Sequence, residues 1–145
     1  NPPTSAIKAA IEDADGRLQR FGIVDHITVK FRPTSQTDSL GQYRSFSQFR
    51  GGPICWVSSE ITEENYPDHD IHQIIVDTIL HEYGHVIWEF ARLRDDKLMK
   101  MCDAAAFGDE EDFAETFAVV VANNAVSPTY RKIVKRYVES LGERL

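Results

Sequence analysis

Apolar side chains recur at helical spacing along most of the chain. Residues 4–21 carry them three and four positions apart, which predicts a helix that ends at Gly22. The longest such stretch, residues 70–93, predicts a central helix with a broad apolar arc. That arc comprises Ile75, Val76, Ile79, Leu80, Tyr83, Val86, Ile87 and Phe90. Further helices are predicted over residues 97–106, from about Asp109 onward, and over residues 129–141.

Between the first and the central helix, the pattern changes to the alternation that is typical of strands. Residues 26–31 alternate apolar and polar side chains, a weaker strand is predicted over 40–46, and a third over 54–59. The third segment is interpreted either as an edge strand or as a plain core strand. We therefore predict one α+β domain over residues 1–145, with an amino-terminal helix, a small twisted sheet of three to four strands, and the remaining helices after it.

The amino-acid composition and net charge limit the classes of function that the chain can have. The chain has 145 residues, of which 42% are hydrophobic, which is enough for a real core. The net charge of −7 and the absence of a basic block argue against nucleic acid or an acidic membrane as main partner. The four basic residues of 131–136 are interpreted as one solvated helix face. No stretch reaches the ~20 apolar residues of a membrane span.

The two cysteines and the amino terminus bear on localisation. Nothing in the spacing of Cys55 and Cys102 indicates a disulfide, so a reduced, cytoplasmic interior is mildly favoured. The chain begins at Asn1 rather than at a methionine, which leaves open that it is part of a longer protein.

The central helix carries the pentad His81-Glu82-Tyr83-Gly84-His85, an H-E-x-x-H motif. Two histidines four positions apart lie only about 40° apart around a helix axis, so both imidazoles can bind one small cation. Glu82 lies about 100° round the axis, at the side of that cation. There its carboxylate can take a proton from metal-bound water. This is the arrangement that zinc peptidases use.

A catalytic zinc needs a third protein ligand and an open position for water. The helix predicted after Asp109 offers carboxylates: Glu111, Ala114, Glu115, Ala118 and Ala122 share one stripe, with Phe113, Phe117 and Val120 opposite. The small residues would let this backbone approach the histidine helix. Glu111 is our predicted ligand, and Glu115 would accept a proton from the far nitrogen of a ligand histidine, although Glu115 as ligand remains open. The alternative is that these are first-turn carboxylates favoured by the helix dipole.

The pentad together with residues 111–118, E-D-F-A-E-T-F-A, resembles the motifs of gluzincin metallopeptidases. It is most similar to the compact ImmA/IrrE-type peptidases and the anthrax-lethal-factor-like catalytic domains. In these families the first glutamate of the second motif binds the metal, and that position falls on Glu111. The resemblance spans roughly residues 54–122 and implies a minimal zincin fold. Where the lethal-factor-like domains have a tyrosine, this chain has Ala104, so that oxyanion-stabilising role is not carried over.

The sequence therefore predicts a zinc-dependent endopeptidase with one Zn²⁺ bound by His81, His85 and Glu111. Its partner is a protein or peptide substrate, and its oligomeric state is left open. One alternative is a non-proteolytic zinc hydrolase of the deformylase or amidase kind, to which Cys55 would be relevant, although a buried apolar role for Cys55 is preferred. The other is a regulatory binding module on a zincin scaffold. Tyr43, Tyr66, His69, His72 and Tyr130 are considered as donors to the oxyanion.

Overall fold

The computed structural model describes residues 5–23, 28–32, 41–43 and 54–143. In this part of the chain the elements are α1 (Ser5–Arg20), β1 (Thr28–Arg32), β2 (Gly41–Tyr43), β3 (Ile54–Ser58), α2 (Ile71–Arg94), α3 (Asp96–Ala106), α4 (Glu110–Ala122) and α5 (Pro128–Glu143). The predicted α+β class is confirmed. Of the second predicted strand, residues 44–46 and residue 40 lie outside the described residues.

The described sheet has the order β1-β3-β2. The central strand β3 pairs in parallel with β1, with Val29 opposite Cys55, and antiparallel with β2, with Tyr43 opposite Cys55. The interpretation of residues 54–59 as an edge strand is therefore wrong. Cys55 and Val57 are fully buried, and backbone groups at such depth need partners on both sides. β1 and β2 form the edges of the described sheet.

Helix α2 lies at the centre of the described core. It begins after Asp70, whose side chain accepts a hydrogen bond from the backbone N–H of Gln73. All eight residues of the predicted apolar arc are buried. Because α1, α4 and the sheet all pack against this helix, its surface is apolar over more than one face. Within the described residues, neither α2 nor any other helix is long and apolar enough to cross a bilayer.

Helices α2 and α4 come unusually close where Gly84 faces Ala114. A Cβ atom on Gly84 would lie 2.8 Å from the Ala114 Cα atom, closer than real Cβ contacts allow. Along α4, Phe113 stacks on Tyr130 of α5 at 5.5 Å between ring centroids, and Phe117 stacks on Tyr83 of α2 at 6.3 Å. The prediction that small residues permit a close approach of these two helices is thus confirmed, and the aromatic rings hold α4 against α2 and α5.

The basic residues of 131–136 form a mostly solvated face of α5, as predicted: three of them are exposed and only Arg136 is partly buried. Arg136 donates two hydrogen bonds to Asp95, at 2.9 and 3.1 Å. The Arg131 guanidinium lies 4.4 Å from the centre of the Phe21 ring, where a cation–π contact is favourable. The carboxylate of Asp95 also caps α3 by accepting from the backbone N–H of Leu98. The spacing of charges along one helix cannot reveal such partners on other helices.

Replacing Asp95 with alanine should lower the free energy of unfolding by about 3 kcal/mol. The change removes a helix cap and takes from the Arg136 guanidinium the buried carboxylate that accepts its two hydrogen bonds. The Arg136 guanidinium and the Leu98 N–H outweigh burial and hold the pKa of Asp95 at about 2 rather than 3.8. Its contribution is therefore full above pH 3.8 and is lost as the pH falls towards 2. Urea denaturation measures both effects. The exposed neighbour Asp96, changed to alanine, is the control, and equal stability of the two variants would contradict this prediction.

Candidate metal centre

His81 and His85 lie one turn apart on α2, with ring centroids 4.8 Å apart and planes at 84°. The Nε2 atoms of both rings face the carboxylate of Glu111 from α4. His81 Nε2 lies 2.6 Å from Glu111 Oε1, and His85 Nε2 lies 3.1 Å from Glu111 Oε2. One ligand atom from each of the three residues falls within 4.8 Å of the others. The three predicted ligands therefore form one group that could hold a metal ion.

The donor set fits a divalent cation of borderline softness. Two imidazoles and one carboxylate are a known catalytic combination, and bonds of about 2.0–2.2 Å in a tetrahedron set the ligand atoms roughly 3.3 Å apart. The contacts of 2.6 and 3.1 Å to Glu111 would widen by less than ~1 Å to reach that spacing, and the remaining separations, all within 4.8 Å, would close by at most ~1.5 Å. The Glu111 side chain can move to reach these distances, since 58% of it is exposed. Three protein ligands would leave one position open for water.

The far nitrogens of the two rings contact carboxylates other than Glu115. His85 Nδ1 lies 2.7 Å from Glu110 Oε2, and His81 Nδ1 lies 3.1 Å from Glu82 Oε2. The nitrogens that Glu115 was predicted to contact thus face Glu110 and Glu82. Glu115 stands one turn further along α4 and lines the neighbouring cleft beside His81. The sequence did not predict the contact between Glu110 and His85. Helical geometry sets Glu110 about 100° round the helix axis from Glu111, but its long side chain still reaches the His85 ring.

Glu82 is buried beside the histidines, with 6% of its surface exposed. Behind it lies Cys55 on β3, which is free and fully buried. Burial, together with the charge of Glu82, raises the pKa of the Cys55 thiol well above its usual value. The prediction that Cys55 is a buried small side chain is confirmed. Its thiol does not belong to the group of candidate metal ligands found in the described residues.

The carboxylates favour the protonated form of both histidines when no metal is bound. The hydrogen bond to Glu82, aided by Glu111 and opposed by burial, raises the pKa of His81 from 6.5 to about 9. Burial lowers the pKa of His85, but the hydrogen bond to Glu110 and the charges of Glu82 and Glu110 raise it overall. A cation entering the site must therefore displace protons from these rings.

Metal affinity should rise with pH up to about 9, because the cation competes with the proton on His81. The stability of the metal-free protein should follow the opposite trend. The folded-state pKa of His81 exceeds the unfolded value of 6.5, so its contribution is full below pH 6.5 and is lost as the pH rises through 9. Titration with chelator-buffered zinc and urea denaturation test the two trends. Affinity that does not change with pH would contradict the assignment of His81 as ligand.

A cleft of about 900 Å³ opens beside the histidines, between α1, α2 and α4. Its walls include Arg17, Thr78, His81, Glu82, Glu115 and Val119. Arg17 is held in place by a hydrogen bond to Asp13 at 2.8 Å and by another to the carbonyl of Ala122 near the end of α4. These contacts fix α1 against α4, so the cleft has a stable far wall next to the candidate metal centre.

The residues considered as oxyanion donors lie elsewhere. His72 contacts Asp13 at 2.7 Å, and Tyr130 stacks on Phe113 in the core. Tyr66 and His69 pack edge to face with each other in the segment between β3 and α2. None of these four described side chains lines the cleft. The side chain of Tyr43 lies outside the described residues.

Comparison of the chain with models of known protein families, with curated proteins and with solved structures found no match. The likeness to gluzincins therefore stays a prediction that depends on the two motifs.

Proposed function

We propose that this protein is a zinc-dependent endopeptidase. The observation that carries the proposal is the position of Glu111, whose two carboxylate oxygens face the Nε2 atoms of His81 and His85. The two histidines lie on α2, 30 and 26 positions before Glu111 along the chain, whereas Glu111 lies on α4. An acid that served only to stabilise the start of α4 would have no need to meet both rings.

The three ligands would hold the zinc and leave its fourth position for water. A zinc held by these residues would lower the pKa of a bound water to about 7 and polarise the scissile carbonyl. Glu82 would take the proton of the attacking water and deliver it to the departing amine. Amide hydrolysis needs both transfers, because an amine anion is a very poor leaving group. Glu82 lies next to His81 and lines the cleft, which supports its role as the proton carrier.

The presence of a buried carboxylate beside the histidines favours an enzyme over a binding module. A structural metal site has no use for a proton acceptor, whereas Glu82 is buried next to a ligand and reaches the cleft. A non-proteolytic zinc hydrolase of the deformylase or amidase kind would use the same centre. The cleft of about 900 Å³ has room for a peptide chain beside this centre.

The proposed activity is tested by incubating the zinc-loaded protein with an unfolded protein and with a peptide library. We expect internal cleavage that a zinc chelator blocks and that added zinc restores. Formylated and amidated small molecules are assayed in parallel. A zinc-loaded protein that cleaves only these small molecules would replace the endopeptidase with the second kind of hydrolase. One that binds zinc and cleaves nothing would favour the binding module.

A further inference from the structure

The first turn of α4 presents two successive carboxylates to one histidine ring. Asp109 caps this helix by accepting from the backbone N–H of Asp112 at 3.1 Å, which fixes where the first turn begins. From that turn, Glu110 reaches His85 Nδ1 at 2.7 Å and Glu111 reaches His85 Nε2 at 3.1 Å. The ring of His85 is therefore held at both of its nitrogens by neighbouring residues of one helix.

We propose that Glu110 is a positioning residue that fixes the tautomer and orientation of His85 for metal binding. The inference rests on the proposed metal site. A carboxylate can only accept a hydrogen bond, so Glu110 keeps the proton of the neutral imidazole on Nδ1. The lone pair on Nε2 then points at the space in front of Glu111. Carboxylates in this relation to a ligand histidine also make it a better electron donor to the metal.

The two ligand histidines differ in the partner at Nδ1. His81 contacts Glu82, which the proposed reaction needs as a proton carrier. His85 contacts Glu110, which has no part in the proposed proton transfers. Glu110 can therefore hold its ring throughout the reaction, while Glu82 exchanges protons. The close approach of Gly84 and Ala114 keeps α4 near enough for this contact.

The competing explanation is that Glu110 merely stabilises the start of α4 through the helix dipole. Asp112 offers a matched control, because it is an acid in the same first turn and is exposed. Replacing either residue with alanine removes one negative charge from that turn. Only the change at Glu110 removes the contact with His85. A difference between the two variants therefore isolates the positioning role.

The test measures zinc affinity by competition with a chromophoric chelator in the wild type and in Glu110→Ala, Glu110→Gln, Glu111→Ala and Asp112→Ala. We expect Glu110→Ala to bind zinc about 10- to 100-fold more weakly and Asp112→Ala to bind within a few-fold of the wild type. Glu110→Gln should recover most of the loss, because its amide oxygen still accepts from Nδ1–H. In the zinc-loaded protein, the ¹⁵N-coupled NMR signal of His85 Nδ1–H should persist in the wild type and in Glu110→Gln. In Glu110→Ala, where the His85 Nδ1–H has lost its acceptor, the signal should disappear because this proton exchanges with water.

The outcomes separate this inference from the proposed function. Equal zinc affinity of Glu110→Ala and Asp112→Ala, with the Nδ1–H signal unchanged, overturns the positioning role and leaves the metal site standing. A loss in Glu110→Ala as large as that in Glu111→Ala would make Glu110 a ligand instead, which also overturns it. Failure of the wild type to bind zinc at all contradicts the proposed function, and the inference falls with it.

Discussion

Replacing Glu82 with glutamine is expected to lower turnover by about 10³-fold while zinc affinity stays within a few-fold of the wild type. Glutamine has nearly the same shape and its amide oxygen can still accept from His81 Nδ1, so the ligand ring keeps its partner. What the variant loses is the ability to take up a proton. Steady-state cleavage of a library-derived peptide gives the rate, and the chelator competition gives the affinity.

Glu89→Gln is the matched control for this change. Glu89 lies on the same helix, its side chain is largely buried, and it pairs with Arg92 at 3.5 Å rather than with a candidate ligand. It should keep both zinc and turnover. Full activity of Glu82→Gln would remove Glu82 from the role of base. Loss of zinc from Glu82→Gln would assign its carboxylate to holding His81 instead.

Replacing Gly84 with alanine should destabilise the fold by about 2 kcal/mol and weaken zinc binding by more than about tenfold. The new methyl group would lie 2.8 Å from the Ala114 Cα atom and 3.3 Å from its carbonyl oxygen. These are backbone atoms, so relief requires α4 to move away from α2. That movement carries Glu110 and Glu111 away from the histidines, and metal affinity should fall with stability.

Gly142→Ala in α5 is the control for the backbone effect of adding a methyl group. Among the described residues, and apart from the adjoining backbone of its own helix, no atom lies within 4 Å of the Cβ that this change adds. It should stabilise the protein by a few tenths to about 1 kcal/mol, as removal of a helical glycine does. Urea denaturation and zinc competition on both variants measure the difference. If Gly84→Ala were as stable as this control and bound zinc normally, the helix contact would have no part in forming the site.

The parts of the site that local helix geometry determines could be predicted from sequence. His81 and His85 share a face because they are four residues apart, and the stripe of Glu111 with Ala114 indicated which side of α4 would meet them. The buried arc of α2 followed from the same periodicity. Each of these features depends on positions within one helix, which the sequence displays directly.

Features that depend on partners from different elements could not be predicted. The position of β3 inside the sheet depends on which strands pair, and residues 54–59 look the same in a central or an edge strand. The contact between Glu110 and His85 depends on the length of a flexible side chain that spans two helices. The same holds for Arg136, which reaches Asp95 across 41 positions of sequence.

The most direct test of the account is a crystal structure of the protein loaded with zinc, with anomalous diffraction measured at the zinc edge. We expect one zinc peak per chain, with His81 Nε2, His85 Nε2 and a Glu111 carboxylate oxygen each about 2.0–2.2 Å away and a water at the fourth position. A map without a peak between these three side chains, or a zinc bound there with Glu111 turned into solvent, would contradict it.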